Sequence, residues 1–192
     1  MFSMSAKIQC YLLPTDAVAA EKDFLDHLRG KGETWIIAYG FTLVPMIDEL
    51  IGVHKRGKKL HLYLDHTQAS GKAETVDVDR LVHAGVEVTI GTSPVRGLIC
   101  HTKGVVVDGV HPWCWEGSVN FSNNGFSQVN TAMAFESKLW RDRFVQQFEE
   151  LRAFAWAKER RYQRMGRAPG KIADSRHRRG ARRRGTPGTA SL

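Results

Sequence analysis

Short apolar stretches recur along the chain as far as residue 137, and each is bounded by glycine, proline or charged residues. Most of these stretches are rich in valine, isoleucine and aromatic residues, which favour an extended backbone. They predict seven β-strands: KIQCYLLP, TWIIAYGFT, KLHLYLDH, VEVTIG, LICHTKGVVV, WCWEGSVNF and TAMAFES.

Between the first four strands the apolar positions change to a helical spacing of three or four residues. Capping residues, glycines or a proline near the start mark these helices: TDAVAAEKDFLDHLRGKG, PMIDELIGVHKRG and ETVDVDRLVHAG. A longer helix is predicted for KLWRDRFVQQFEELRAFAWAKERRYQRM. We interpret its apolar stripe as core packing by Trp140, Phe144, Phe148, Leu151 and Ala155.

Strands that alternate with helices and then follow one another predict an α/β fold with a mixed β-sheet sandwiched between helices. A chain of 192 residues suits one domain with a substantial core, which we place at residues 1–165. From Gly166 onwards the sequence is rich in Arg, Gly, Pro and Ser and nearly lacks large apolar side chains. That composition predicts a disordered tail over residues 166–192.

The positive charge of the chain is concentrated near its end. The net charge is +8, and residues 160–192 hold eleven Lys or Arg residues against one acid, Asp174. Residues 1–159 carry 17 basic and 19 acidic groups. Such a density of arginine predicts nucleic acid as a partner, and an acidic membrane surface is the competing interpretation.

Several features bear on the compartment and on cofactors. No apolar run reaches the length of a bilayer span, so we expect no stable membrane insertion. The odd number of cysteines (Cys10, Cys100 and Cys114) and the lack of a CxxC pair indicate reduced thiols in the cytoplasm. No set of Asp, Glu or His residues has the spacing of metal ligands, and we expect neither a metal ion nor a cofactor.

One polar constellation interrupts the predicted strands near residue 100. His101 and Lys103 stand two apart in ICHTKGVVVDG, and Ser118 and Asn120 stand two apart in the next strand. Side chains two apart share one face of a strand. A hairpin loop of four residues, 108–111, places His101 opposite Ser118, so that all four side chains share a face. An imidazole, a fixed cation and two neutral hydrogen-bonding groups suit a phosphate oxyanion.

The order H-x-K-x4-D followed by G-S-x-N resembles the phospholipase D superfamily, through HTKGVVVD and GSVNF. TWIIAYGFT, LIGVHKRGKKLHLYLD and HAGVEV also resemble the upstream pattern of its bacterial single-motif nucleases. The resemblance covers most of residues 1–155, and it implies a phospholipase D/nuclease-like fold and a phosphodiesterase that works without a metal ion.

The resemblance also implies residue roles. His101 would attack phosphorus and form a phosphohistidine, while Lys103 and Asn120 hold the non-bridging oxygens. Ser118 would support the phosphate site or the histidine. Asp108 completes the motif and is a catalytic candidate on that ground. Strand alternation, however, places it on the face opposite to His101, and it lies in a predicted turn, so a structural role is favoured.

The carboxylate that orients the histidine in the family has no obvious counterpart. Family members commonly carry an acid about a dozen residues after the asparagine of GSxN, where this sequence has Ala132. By strand alternation, Glu116 and Glu136 are each expected on the face where this acid is needed. The sequence does not choose between them. Asp65, on the third strand, is interpreted as a solvated or sheet-end residue that the site could still touch.

The implied mechanism needs two histidines, whereas the chain has a single H-x-K followed by G-S-x-N. We therefore expect a homodimer with one active site on its twofold axis. The rival hypothesis is a monomer in which His111 or His66 acts as the acid.

The leading functional hypothesis is an endonuclease that cleaves DNA or RNA. A phospholipid phosphodiesterase of the same superfamily is the main enzymatic alternative. A nucleic-acid-binding protein on a catalytically decayed scaffold is the third hypothesis, motivated by Ala132.

Overall fold

The structure is a computed structural model that describes residues 7–164, with side chains as far as Lys158. It divides at residue 155 into a compact unit, residues 1–155, and a second unit, residues 156–192, described only as far as Arg164. The tail predicted to be disordered, residues 166–192, lies outside the described residues. No helix in the described part of the chain is both long and apolar enough to cross a bilayer.

All the predicted elements form. The seven strands are β1 (Ile8–Leu13), β2 (Thr34–Ala38), β3 (Leu60–Asp65), β4 (Glu87–Gly91), β5 (Lys103–Val107), β6 (Trp113–Gly117) and β7 (Asn130–Glu136). The helices are α1 (Ala17–Leu28), α2 (Val44–Lys55), α3 (His66–Ala69), α4 (Lys72–His83) and α5 (Lys138–Arg164). A short 3-10 turn, Gly125–Ser127, precedes β7, and neither it nor α3 was predicted.

The strands form one mixed sheet in the order β1-β7-β6-β5-β2-β3-β4. Strands β2, β3 and β4, which helices separate, run parallel, and the remaining neighbours pair antiparallel. Parallel neighbours need a long crossover, and helices α2, α3 and α4 supply it between β2, β3 and β4. The predicted fold class is confirmed.

Helices cover the sheet on both faces. Helices α1, α2 and α4 bury their apolar faces on one side, together with Ile36, Leu62 and Val105 of the central strands. Helix α5 buries Phe144, Phe148 and Leu151 on the other side, as its apolar stripe predicted. At the two ends of that stripe, Trp140 stays 37 % exposed and Ala155 is only partly buried.

The hairpin between β5 and β6 differs from its prediction. Val107 pairs with Trp113 across a loop of five residues, 108–112, so the four-residue loop was wrong. Pro112 has no N–H to donate to β5, which disfavours its predicted pairing with Val107. A shift of one residue moves the side chains of a strand to the other face of the sheet. His101 therefore does not lie opposite Ser118 on a shared strand face.

The motif residues lie at or just beyond the strand ends. Lys103 is the first residue of β5, His101 precedes that strand, and Ser118 and Asn120 follow the end of β6 at Gly117. Strand alternation therefore does not set the directions of three of these four side chains, and contacts with neighbouring loops decide them.

Phe24 links α1 to the strands that lead into the motif. It is fully buried, and its ring centroid lies 5.0 Å from that of Trp115 and 5.1 Å from that of Phe121. It also contacts the rings of Trp113 and Phe126, at 6.0 and 6.1 Å. One side chain thus joins a helix, β6, the segment after β6 and the 3-10 turn.

We expect Phe24→Ala to lower the free energy of unfolding by about 3–5 kcal/mol, because a buried aromatic ring is replaced by a cavity. Urea unfolding followed by tryptophan fluorescence measures this loss. Val18→Ala, on the same helix but 86 % exposed, is the matched control and should change stability by less than about 0.5 kcal/mol. A loss from Phe24→Ala no larger than that of the control would contradict the assigned role.

Candidate active site

The side chains of the motif histidine and lysine both lie against the ring of Tyr39. Ala38, the last residue of β2, pairs with Lys103, and Tyr39 follows it directly. The ring centroids of Tyr39 and His101 are 4.6 Å apart with their planes at 60°, and Lys103 Nζ lies 5.1 Å from the Tyr39 centroid. The sequence did not single out Tyr39, since an aromatic residue within the predicted strand TWIIAYGFT carries no catalytic signal.

His101 and Lys103 differ in their exposure. His101 is exposed, whereas Lys103 is only 3 % exposed and donates a hydrogen bond from Nζ to the His101 carbonyl, at 2.7 Å. Burial lowers the pKa of Lys103, and the attraction of Glu116 partly opposes that effect. A cation with little solvent around it interacts more strongly with a nearby anion than an exposed cation does.

Asn120 is held next to Tyr39 by the pairing of two loops. The Phe121 carbonyl accepts hydrogen bonds from Thr42 N and Leu43 N, at 2.7 and 2.9 Å, and so ties the segment after β6 to the segment after β2. A Cβ on Gly40 would lie 3.4 Å from both Cβ and Cγ of Asn120, tighter than most such contacts, so glycine gives the amide room against the backbone. The buried Asn120 Oδ1 has no hydrogen-bond partner among the described residues.

Asp65 anchors the loop that carries His101. It stands at the end of β3 and is fully buried, so the expectation of a sheet-end residue is confirmed and that of a solvated one is wrong. Its Oδ2 accepts a hydrogen bond from Cys100 N at 2.7 Å, and its Oδ1 accepts from both N and Oγ1 of Thr67. Asp65 therefore fixes the backbone immediately before His101.

Ser118 points away from the histidine and towards β7. Its hydroxyl donates to Asn130 Oδ1 at 2.9 Å and accepts from Thr131 N at 3.0 Å. Asn130 Nδ2 in turn donates to the Gly125 carbonyl at 2.9 Å. A Cβ on Gly125 would come within 2.0 Å of the Asn120 carbonyl, so this chain of hydrogen bonds supports the turn against which Asn120 rests.

Asp108 lies at the other end of β5. It stands five positions after Lys103, about 16 Å along an extended strand. Its Oδ1 accepts from Gly109 N at 2.9 Å and lies 3.4 Å from Nε of Arg141 on α5. The structure brings His101, Lys103 and Asn120 together but does not bring Asp108 to them.

The position expected for the family carboxylate is part of the core. Ala132 is 2 % exposed and pairs with Tyr11 and Gly117 within the sheet. Glu136 pairs with Trp113 at the far end of β6, where its carboxylate lies 3.4 Å from His111. Both Glu136 and His111 therefore lie at the end of the sheet's strands that is opposite to the motif histidine.

Glu116 is the nearer of the two candidate acids. Burial raises its pKa, and the attraction of Lys103 partly opposes that rise. A Cβ on Gly104 would come within 2.7 Å of Glu116 Oε2, so glycine next to Lys103 makes room for this carboxylate. His66 is the other candidate acid for a monomer. It begins α3 directly after Asp65 and so lies at the same end of the strands as the motif.

In the part of the chain that the structure describes, no group of three or more His, Cys, Asp or Glu side chains could hold a metal ion. A pocket of about 360 Å³ adjoins the motif, and Tyr39, Gly40 and Asn120 form part of its lining. The arrangement brings an exposed imidazole, a buried cation and an amide to one end of the strands. All three groups can contact a phosphate.

Residues 25–153 match the sequence profile of the family described as "Cardiolipin synthase, PLD-like domain". The chain therefore belongs to this family, within the phospholipase D superfamily, whose members include phosphodiesterases and nucleases. No curated protein sequence matches the chain.

Solved structures show the same fold. Nuc from Salmonella typhimurium, a phospholipase D family member, is similar with a TM-score of 0.67 and 20 % identity over 77 % of this chain and 94 % of that one. NucT from Helicobacter pylori has a TM-score of 0.69 and 16 % identity, over 77 % and 96 % of the two chains. Phosphatidylserine synthase from Haemophilus influenzae has a TM-score of 0.56 and 9 % identity, over 91 % and 48 %. At these identities the likeness establishes the fold.

We expect the pKa of Lys103 to fall further in Glu116→Gln, because the substitution removes a negative charge that favours the ammonium form. NMR titration of lysine 13Cε resonances, with the signal assigned through Lys103→Arg, measures this change. Glu136→Gln is the matched control and should leave the Lys103 titration where it is. An unchanged titration in Glu116→Gln would contradict the proposed interaction.

Proposed function

We propose that the protein is an endonuclease that cleaves phosphodiester bonds of nucleic acid through a phosphohistidine, without a metal ion. The observation that carries the proposal is the exposed His101 ring next to the buried Lys103, with both side chains against Tyr39. Asn120 adds an amide whose buried Oδ1 has no hydrogen-bond partner among the described residues, and whose NH2 group can donate to a phosphate oxygen.

The chemistry proceeds in two steps. A ring nitrogen of His101 attacks phosphorus, so that a P–N bond forms while the bond from phosphorus to the leaving oxygen breaks, and an acid gives that oxygen a proton. Water then attacks phosphorus and gives a proton back to that acid, the P–N bond breaks, and a phosphate monoester leaves the free imidazole. Lys103 and the Asn120 amide stabilise the non-bridging oxygens, and Ser118 acts indirectly through the turn that supports Asn120.

The substrate assignment depends on charge. Eleven Lys or Arg residues between 160 and 192 suit a polyanion, although side chains there lie outside the described residues. The family description and the likeness to a phosphatidylserine synthase favour a phospholipid as the second candidate. Three free thiols at Cys10, Cys100 and Cys114 suit a reducing compartment, so we place the protein in the cytoplasm.

Incubation of the full chain with plasmid, single-stranded DNA, RNA and phosphatidyl-lipid vesicles in EDTA tests this proposal. We expect cleavage of nucleic acid, reduced to background in His101→Ala, which removes the nucleophile. Lys103→Ala and Asn120→Ala should each cost roughly 100-fold in kcat/KM, or ~3 kcal/mol, because each removes one contact to the developing charge. His111→Ala is the control and should cleave like the wild type, since His111 lies next to Glu136 at the opposite end of the strands from His101.

Three results would contradict the proposal. Cleavage that EDTA abolishes and magnesium restores would replace the mechanism with a metal-dependent one. Hydrolysis of vesicle lipid alone would make the phospholipid the substrate. Binding of nucleic acid without cleavage of any substrate would indicate a decayed scaffold, in keeping with Ala132.

We further propose that the acid of the first step is the same histidine of a second copy, in a homodimer with one site on its axis. The single motif and the exposure of His101 support this assembly. Light scattering should give twice the monomer mass, and specific activity should fall as dilution separates the copies. A purely monomeric protein that cleaves at a specific rate independent of concentration would exclude the shared site and favour His66 as the acid.

A further inference from the structure

The pocket next to the motif has a second wall that the proposed chemistry does not use. The N-cap and first turn of α4, residues 71–74, line the pocket together with Tyr39 and Asn120. Helix α4 is 12 residues long, and no side chain caps its N-terminus. The first N–H groups of a helix lack partners within it, and the helix dipole makes that end attractive to anions.

Lys72 adds a positive charge to this wall. It is the first residue of α4, its side chain is exposed, and it forms no ion pair with the described residues. The two features together place a cation and free backbone donors on one side of the pocket. Asn120, which we assign to the scissile phosphate, lines the same pocket.

Glu74 provides an independent sign that the pocket takes a ligand. It is only 4 % exposed, and its Oε2 accepts a hydrogen bond from Phe41 N at 3.1 Å. Its Oε1 is buried and has no partner among the described residues. A glutamate at the third position of a helix often caps that helix, but Glu74 reaches to the segment after β2 instead and leaves the first turn open. A buried oxygen without a partner is rare in folded proteins.

We infer that this pocket is a second phosphate subsite, in which the first turn of α4 and Lys72 hold a phosphate of the nucleic-acid strand next to the one that His101 attacks, with the carboxyl group of Glu74 buried beside them. The inference rests on the proposed function, because it assigns the pocket to the same substrate strand. A strand carries a phosphate at every nucleotide, so a substrate longer than a dinucleotide supplies the second anion.

The protonation of Glu74 sets the expected pH dependence. Burial raises the pKa of Glu74 to about 7, the Phe41 N–H opposes the rise, and the negative charges of Asp65 and Asp77 add to it. Lys72 is the cation on the same turn. Below about pH 7 the carboxyl group keeps its proton and carries no charge that would repel a phosphate in the pocket. Above that pH the carboxylate repels the phosphate, so affinity for the second phosphate falls as the pH rises through 7.

The experiment compares two ligands that differ by one phosphate, the thymidine dinucleotide TpT and the trinucleotide TpTpT. Calorimetry uses the full chain with His101→Ala, in EDTA, so that nothing is cleaved. At pH 6 we expect TpTpT to bind about tenfold more tightly than TpT, the gain of one hydrogen-bonded charged group. Lys72→Ala should remove this preference, and Lys59→Ala, at an exposed lysine before β3, should keep it. The preference should shrink from pH 6 to pH 8, and in Glu74→Gln it should persist at both.

Equal affinities at pH 6, or a preference that survives Lys72→Ala, would overturn the subsite. A wild-type protein that cleaves nucleic acid but shows no preference would overturn the subsite alone. One that prefers TpTpT but cleaves nothing would overturn the proposed nuclease and retain the subsite. A two-phosphate preference found only with a vesicle lipid that carries two phosphates would overturn the nucleic-acid assignment.

Discussion

The site depends on the burial of one cation. Lys103 starts β5 in the middle of the sheet, where its pairing with Ala38 removes it from water. A buried ammonium group is costly unless neighbouring groups replace its hydration. The His101 carbonyl, the face of Tyr39 and the negative charge of Glu116 provide that replacement. The contacts that stabilise the lysine also place the histidine next to it.

Three tertiary connections hold the loops around this cation. The loop after β2 is tied to Phe121, the loop before β5 is tied to the buried Asp65, and Ser118 supports the turn beneath Asn120 through Asn130. Each connection joins segments from different strands. The candidate catalytic groups therefore stand at a strand end and on loops whose backbones are fixed by a rigid sheet, a common arrangement in enzymes.

The sequence predicted the elements well because apolar periodicity reflects burial directly. Convergence of the motif does not follow from strand alternation, because His101, Ser118 and Asn120 lie outside the strands and the hairpin loop is odd in length. The loop has five residues, yet Asn120 still lies beside Tyr39, because the backbone leaves β6 at Gly117 and is bound by the segment after β2. The convergence is real, but its cause is tertiary.

The sequence by itself determined the order of strands and helices, the motif residues and the family, since each of these resides in local pattern. Only the tertiary structure decided which side chains meet. Asp65 and Cys100 are 35 residues apart, and Glu74 and Phe41 are 33 apart. No local signal marks such pairs, because burial and the geometry of crossing loops bring them together. That is also why Glu74, an ordinary helix residue in the sequence, becomes a buried acid that lines the same pocket as Tyr39 and Asn120.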